Sequence, residues 1–334
     1  MRAAAVIAVL VCWVAAAGNA GAAETRLYVR SRYLMGTPIE IKARGADEAA
    51  TQAAINAAYE EIARLERLMS HWRQDSQVAQ VNAQAGKTPV KVAPEVLDVI
   101  ERALGVSRMT GGAFDITMQV VGAIWGIDGQ HPRVPPKADI REALRHVGYR
   151  HVHVNMAAHT VYLDEPGVQI GLGGIAKGYA VDRAVAKLRE HGIRSAVVNA
   201  GGDMALLGLD GNRPWRVGVK DPRHPERTLG WFEATDVTVH TSGDYERSIV
   251  VGGKRYHHIL DPKDGYPARS ARSVTVVTPD GTLGDALSTG IFVLGPSKGR
   301  QLIESLPDVE AVIVEAGGKT VVSRGLARRI HLTP

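Results

Sequence analysis

Short β-branched segments crowd the chain from residue 151 onward: HVHV, TVYL, VQIGL, SAVVNA, WRVGV, DVTVH, SIVV, SVTVV and AVIV. Runs of that length and composition, separated by turn residues, build strands and exclude a helical bundle. A helical stretch at about 176–190 interrupts them, with Val181, Val185 and Leu188 as its apolar stripe, and two more follow near 285–294 and 296–305. The first half differs. Residues 26–42 read as two strands around the turn MGTP. Residues 47–69 read as a long helix with Ala58, Ile62, Leu65 and Met69 on one face, and a second helix starts at Pro94 with Val96, Val99, Ile100, Ala103 and Leu104 buried and Gly111 and Gly112 at its end. Residues 128–137 form a loop rich in turn residues. The expected fold is a single compact α+β unit, with mixed or antiparallel sheets flanked by helices.

Residues 1–23 have the layout of a secretory signal peptide: an early arginine, a short apolar run, then small residues. The expected domain is therefore 24–334, acting in the periplasm or another extracytoplasmic space; an uncleaved leader would leave it membrane-associated. The sole cysteine, Cys12, lies in that leader. The remaining chain holds no thiol for a disulfide, a thiolate metal site or a nucleophile, and no later segment is apolar enough to span a membrane. The formal charge of +5 is spread thinly, which gives no case for a nucleic-acid surface.

Four stretches carry chemistry. In GDALSTG (284–290), Asp285, Ser288 and Thr289 share one helix face, a set of oxygens suited to a hard cation; the plainer reading has Asp285 capping a helix and the hydroxyls bonded back to its backbone. In GLGGIAKGYAVD (171–182), a glycine cluster leads into a helix bearing Lys177, which reads equally as a tight strand-to-helix turn and as a phosphate cradle. In KRYHHILDPKDGYPA (254–268), alternation sends His257 and His258 to opposite faces, so that one ring can act as a general base in a pocket or both can be structural, and Asp261 organises the turn with Pro262. In GGAFDITM (111–118), Phe114 either stacks on a flat ligand or fills the core, and Asp115 can accept hydrogen bonds; Trp72 of MSHWRQDS poses the same choice as Phe114.

Taken together, MGT, MSHWRQDSQVAQVN, GGAFD, GGIAKGYAVD, VNAGGD, SGDYERS, HHILDPKDGYP and GDALSTGIFVLG stand in an order that resembles the ApbE family of FAD:protein FMN transferases over nearly the whole chain after the leader. The resemblance implies a T-fold-like unit that binds FAD and a divalent cation, usually Mg²⁺. It implies transfer of the FMN half of FAD onto a Thr or Ser hydroxyl of an acceptor flavoprotein through a phosphoester, with release of AMP. Carried over by position, Asp285 and Thr289 are side-chain metal ligands, Ser288 approaches the metal and Gly174 offers its carbonyl. Met35, Trp72, Ala113, Phe114, Asp115, Gly171, Lys177 and Ile259 fall at FAD-contacting positions. His258 precedes the Ile-Asp-Pro-like run and is preferred to His257 as base. Family members often carry Asp where this chain has Gly171, so a carboxylate contact is lost there. Acceptors of the family are extracytoplasmic flavin domains of respiratory complexes and membrane regulators. Two alternatives stand beside transfer: a periplasmic FAD carrier, and a pyrophosphatase that gives FMN and AMP.

Overall fold

A computed structural model describes residues 25–333 apart from 128, 130 and 225; the leader at 1–23 and part of the expected loop at 128–137 lie outside the described residues. The main sheet has eight strands whose spatial order is their chain order: Arg26–Leu34, Thr37–Gly45, Ala196–Ala200, Asp203–Leu207, Thr238–Gly243, Ala271–Thr278, Glu310–Glu315 and Thr320–Val322. Every neighbouring pair is antiparallel. The helices and the glycine loop are thus insertions hung on a meander, and the longest insertion separates Thr37–Gly45 from Ala196–Ala200.

Both faces of this sheet are covered. Val274, Val276, Ala311 and Ile313 point into the core shared with the helices, whereas Leu206, Val239, Val277 and Val312 point the other way. There they meet Trp215, Val217 and Phe232 of a three-stranded sheet formed by Trp215–Lys220, Thr228–Ala234 and His331–Leu332. Burial on both faces explains why AVIV is a continuous apolar run and why even Ser273 and Thr275 of SVTVV are buried.

On the helical side, Glu48–Met69 packs on Ala176–Glu190, which in turn packs on Gly281–Leu294. Asp47 caps the first of these by accepting the Ala50 N–H at 2.7 Å. Gly281–Leu294 is enclosed by the strands Thr238–Gly243 and Ala271–Thr278 and by the helices around it, and residues all round it are buried. A helix in that position is apolar on every side, which makes its buried Asp285 an exception that needs a reason.

One expected strand is absent. Residues 168–172 (VQIGL) run without a strand partner. The side chain of Asn82 replaces one: its Oδ1 accepts the Ile170 N–H at 2.8 Å and its Nδ2 donates to the Ile170 carbonyl at 2.9 Å. Both backbone groups are satisfied with no ladder, and the segment stays open to become the glycine loop. The strand Asp203–Leu207 was not expected. It forms a hairpin with Ala196–Ala200 across Gly201 and Gly202, both at positive φ; Gly-Gly between two apolar runs is the signal that marks it. Among the described residues no helix is long and apolar enough to cross a membrane.

Candidate active site

Asp280, not Asp285, caps the buried helix, accepting the Leu283 N–H at 3.0 Å. Asp285 therefore lies inside the helix, and its Oδ2 accepts the Gly178 N–H at 2.9 Å from the helix bearing Lys177. Ser288 does bond back, donating to the Asp285 carbonyl at 2.8 Å. Its hydroxyl also lies 2.8 Å from Ser242 Oγ, which is 3.2 Å from Thr289 Oγ1. The glycine loop closes over this row: a Cβ on Gly174 would stand 3.4 Å from Thr289 Oγ1 and 3.2 Å from the Phe114 ring.

Two residues that sequence reasoning gave no role complete the cluster. Asp203 forms an ion pair with Lys177, and its Oδ1 lies 3.0 Å from His240 Nδ1. Donor atoms of Asp203, His240 and Asp285 all lie within 4.8 Å of one another, and all three side chains are buried. Burial, then the negative charge of Asp203, pushes the Asp285 carboxyl up to about 6. Burial opposes the Lys177 ammonium, but the carboxylates of Asp203 and Asp285 outweigh it and push it up to about 12. Burial likewise opposes ionisation of Asp203, and Lys177 and His240 overcome it, holding its carboxyl below the usual range. The two buried carboxylates share the Lys177 ammonium, with the His240 ring and the positive charge of Arg247 also acting on the cluster.

Beside this cluster lies a cavity of about 400 Å³. Gly171, Gly174 and Lys177 line it, as do Ala113, Phe114 and Asp115, His258 and Ile259, and Asp285 and Thr289. Ser288 is buried and is not among the lining residues. Met35 is also outside the wall; it sits in the hairpin turn at φ 52, its N–H donating to Glu66 Oε1, while its neighbours Gly36 and Thr37 reach the cavity. Trp72 is 61% exposed and lines a smaller adjoining cavity of about 260 Å³, which shares His71, Gln119 and Gly122 with the main one.

The remaining positions resolve individually. Phe114 is both core and wall, at 4% exposure. The carboxylate of Asp115 is engaged within the fold: Oδ1 accepts from the Thr117 N–H and hydroxyl, and Oδ2 from the Tyr149 N–H at 2.7 Å. At Gly171, a Cβ would meet Gln119 Oε1 at 2.5 Å, so the Gln119 amide fills the space a larger residue would claim. The two histidines do part. His257 is buried, its Nε2 2.9 Å from the Ala268 carbonyl and its Nδ1 accepting the Ile259 N–H at 3.3 Å. His258 lines the cavity, with Nδ1 3.2 Å from the Arg247 carbonyl. Asp261 organises its turn as expected, accepting the Lys263 N–H at 3.0 Å.

Sheet, cavity and oxygen row define a class that comparison with known proteins makes specific. The model of the ApbE family matches residues 35–313. A relative named FAD:protein FMN transferase, from Treponema pallidum (strain Nichols), is 35% identical over 347 residues, covering 98% of this chain and 95% of the relative. Another of that name, from Klebsiella pneumoniae (strain 342), is 34% identical over 313 residues, covering 93% and 96%. Among solved structures, the ApbE protein of Thermotoga maritima superposes with a TM-score of 0.84 at 36% identity, covering 91% of this chain and 99% of that one. The flavin transferase ApbE of Vibrio cholerae gives 0.80 at 28% identity, covering 92% and 100%. The chain belongs to the ApbE family.

Proposed function

We propose that this chain is an Mg²⁺-dependent FAD:protein FMN transferase, which moves the FMN half of FAD onto a Thr or Ser hydroxyl of an acceptor flavoprotein and releases AMP. The observation that carries the reading is the presence of His258, Lys177, Asp285 and Thr289 around one cavity. A site for binding alone needs neither a base nor a buried charge cluster.

The residues fit a hard divalent cation. The Asp285 carboxylate, the Thr289 hydroxyl and the Gly174 carbonyl are oxygen donors, and a cation would favour the ionised form of Asp285 that burial and the Asp203 charge oppose. When bound, the cation supplies neutralisation of the diphosphate oxygens. The chain's own residues do the rest. Lys177 adds a fixed positive charge at the start of its helix, next to the amides of the glycine loop. With the Nδ1 proton of His258 donated to the Arg247 carbonyl, Nε2 carries the lone pair that takes the proton of the incoming hydroxyl. The oxygen then attacks the FMN phosphorus, the P–O bond to the AMP half breaks, and AMP leaves with that bridging oxygen. Phe114, at the glycine loop, supplies an apolar wall for a flat ring.

We infer an extracytoplasmic place of action from the leader-like residues 1–23, and an acceptor exposed there. The test mixes purified protein, FAD, Mg²⁺ and an acceptor domain and reads a denaturing gel under ultraviolet light. A fluorescent acceptor band with AMP supports transfer. AMP with free FMN would make the chain a pyrophosphatase, and neither product would make it a carrier.

A further inference from the structure

The strand Thr238–Gly243 runs alongside the buried helix Gly281–Leu294. Alternation puts His240 and Ser242 on the same side of that strand, and both meet the helix. A Cβ on Gly284 would stand 2.6 Å from His240 Cδ2, and the Ser242 hydroxyl reaches those of Ser288 and Thr289. Two strand residues advance about 6.7 Å and four helix residues about 6 Å. The match of His240 to Gly284 is therefore repeated, one helix turn further on, as the match of Ser242 to Ser288. Ser242 also lines the cavity, as Thr289 does.

Three hydroxyls and one carbonyl meet here in a row, and each hydroxyl has a single hydrogen to give. Ser288 Oγ is 2.8 Å from the Asp285 carbonyl oxygen and 2.8 Å from Ser242 Oγ, and Ser242 Oγ is 3.2 Å from Thr289 Oγ1. A carbonyl only accepts, so the Ser288 hydrogen goes to Asp285. Ser242 must then donate to Ser288, and Thr289 must donate to Ser242. This is the one assignment that makes all three contacts hydrogen bonds. It turns the Thr289 hydrogen toward Ser242 and keeps the lone pairs of that oxygen for the cavity it lines. A hydroxyl ligates a hard cation through a lone pair, so its hydrogen has to point elsewhere. Partners that orient a ligand in this way set the affinity of a metal site by about 10–100-fold.

We propose that Ser242 is a positioning residue for the cation: it accepts the Thr289 hydrogen and so leaves the Thr289 lone pairs to the ion. This rests on the proposed Mg²⁺ dependence and names what holds one of the ligands ready. The test titrates untagged full chain with MgCl₂ by calorimetry, without FAD and again with FAD bound. Ser242→Ala should raise the Mg²⁺ dissociation constant about 10–100-fold, while FAD affinity measured in EDTA stays within a few-fold of normal. Ser242→Val should behave as Ser242→Ala does. Ser242→Thr has the shape of the valine variant but keeps the oxygen, and should restore Mg²⁺ binding to within a few-fold of normal. The valine and threonine pair keeps the comparison decisive should Ser242→Ala fail to fold, and circular dichroism in EDTA checks each variant. The Mg²⁺-induced rise in Tm should follow the same order. Normal Mg²⁺ binding by Ser242→Ala, or Ser242→Thr as weak as Ser242→Val, would overturn the proposal and leave Mg²⁺ dependence standing. No Mg²⁺ binding by the unaltered chain under either condition would overturn both.

Discussion

The carboxylate of Asp285 accepts the backbone N–H of Gly178 at 2.9 Å, and this contact ties the buried helix to the helix that carries Lys177. The two helices approach closely because residue 178 has no side chain: a Cβ there would stand 2.1 Å from the Gly281 carbonyl oxygen and 2.7 Å from Asp285 Cβ. Neither neighbour is a flexible side-chain end. Gly178→Ala should therefore force the helices apart and cost about 3 kcal/mol or more. Urea denaturation measures this, and an unchanged midpoint would show that the contact is looser than described.

His258→Ala removes the proposed base without touching the Asp285 cluster. Transfer should fall by about 10²–10⁴-fold while FAD binding stays within a few-fold of normal. Stopped assays of acceptor fluorescence give the first quantity and equilibrium dialysis of FAD the second. Transfer at the normal rate would remove His258 from the chemistry.

Lys177 holds the charge balance of two buried carboxylates, since Asp203 is paired with it and Asp285 lies close by. Lys177→Met leaves both without that partner, a change that typically costs about 3–5 kcal/mol. Mg²⁺ should then restore part of the loss, so its effect on Tm should be larger in the variant than in the unaltered chain. Equal Mg²⁺ effects in the two proteins would argue against a cation next to these groups.

Burial lowers the pKa of His257, and its two ring nitrogens are used as one donor and one acceptor in the neutral form. The unfolded chain, with an ordinary histidine near 6.5, binds a proton that the folded chain refuses. Stability contributed by this residue is thus full above about pH 7 and declines as pH falls below about 6.5, by up to about 1.4 kcal/mol per pH unit. His257→Asn should flatten that slope in denaturation curves collected between pH 7 and 5. An identical slope would place the protonation elsewhere.

Local patterns in the sequence revealed a good part of this site. The spacing of Asp285, Ser288 and Thr289 puts them on one helix turn, and alternation separates His257 from His258; both hold in the structure. Asp203 and His240 were beyond such reasoning. They meet because Asp203–Leu207 pairs with Thr238–Gly243, in the register Thr238↔Ala205, and no spacing along the chain encodes a pairing across an intervening sheet. The expected strand at 168–172 failed for a similar reason: composition favours a ladder, but the distant Asn82 side chain supplies the hydrogen bonds. Met35 and Trp72 stand next to the main cavity, which their neighbours Gly36 and His71 line, and Trp72 borders the smaller cavity beside it.

The most direct measurement is the intact mass of an acceptor domain after incubation with this chain, FAD and Mg²⁺. The expected product carries the mass of one FMN less one water on a single Thr or Ser, with one AMP released per modified chain, and none of it forms with Asp285→Ala. An acceptor of unchanged mass alongside consumed FAD, or one modified equally by Asp285→Ala, would contradict transfer at this site.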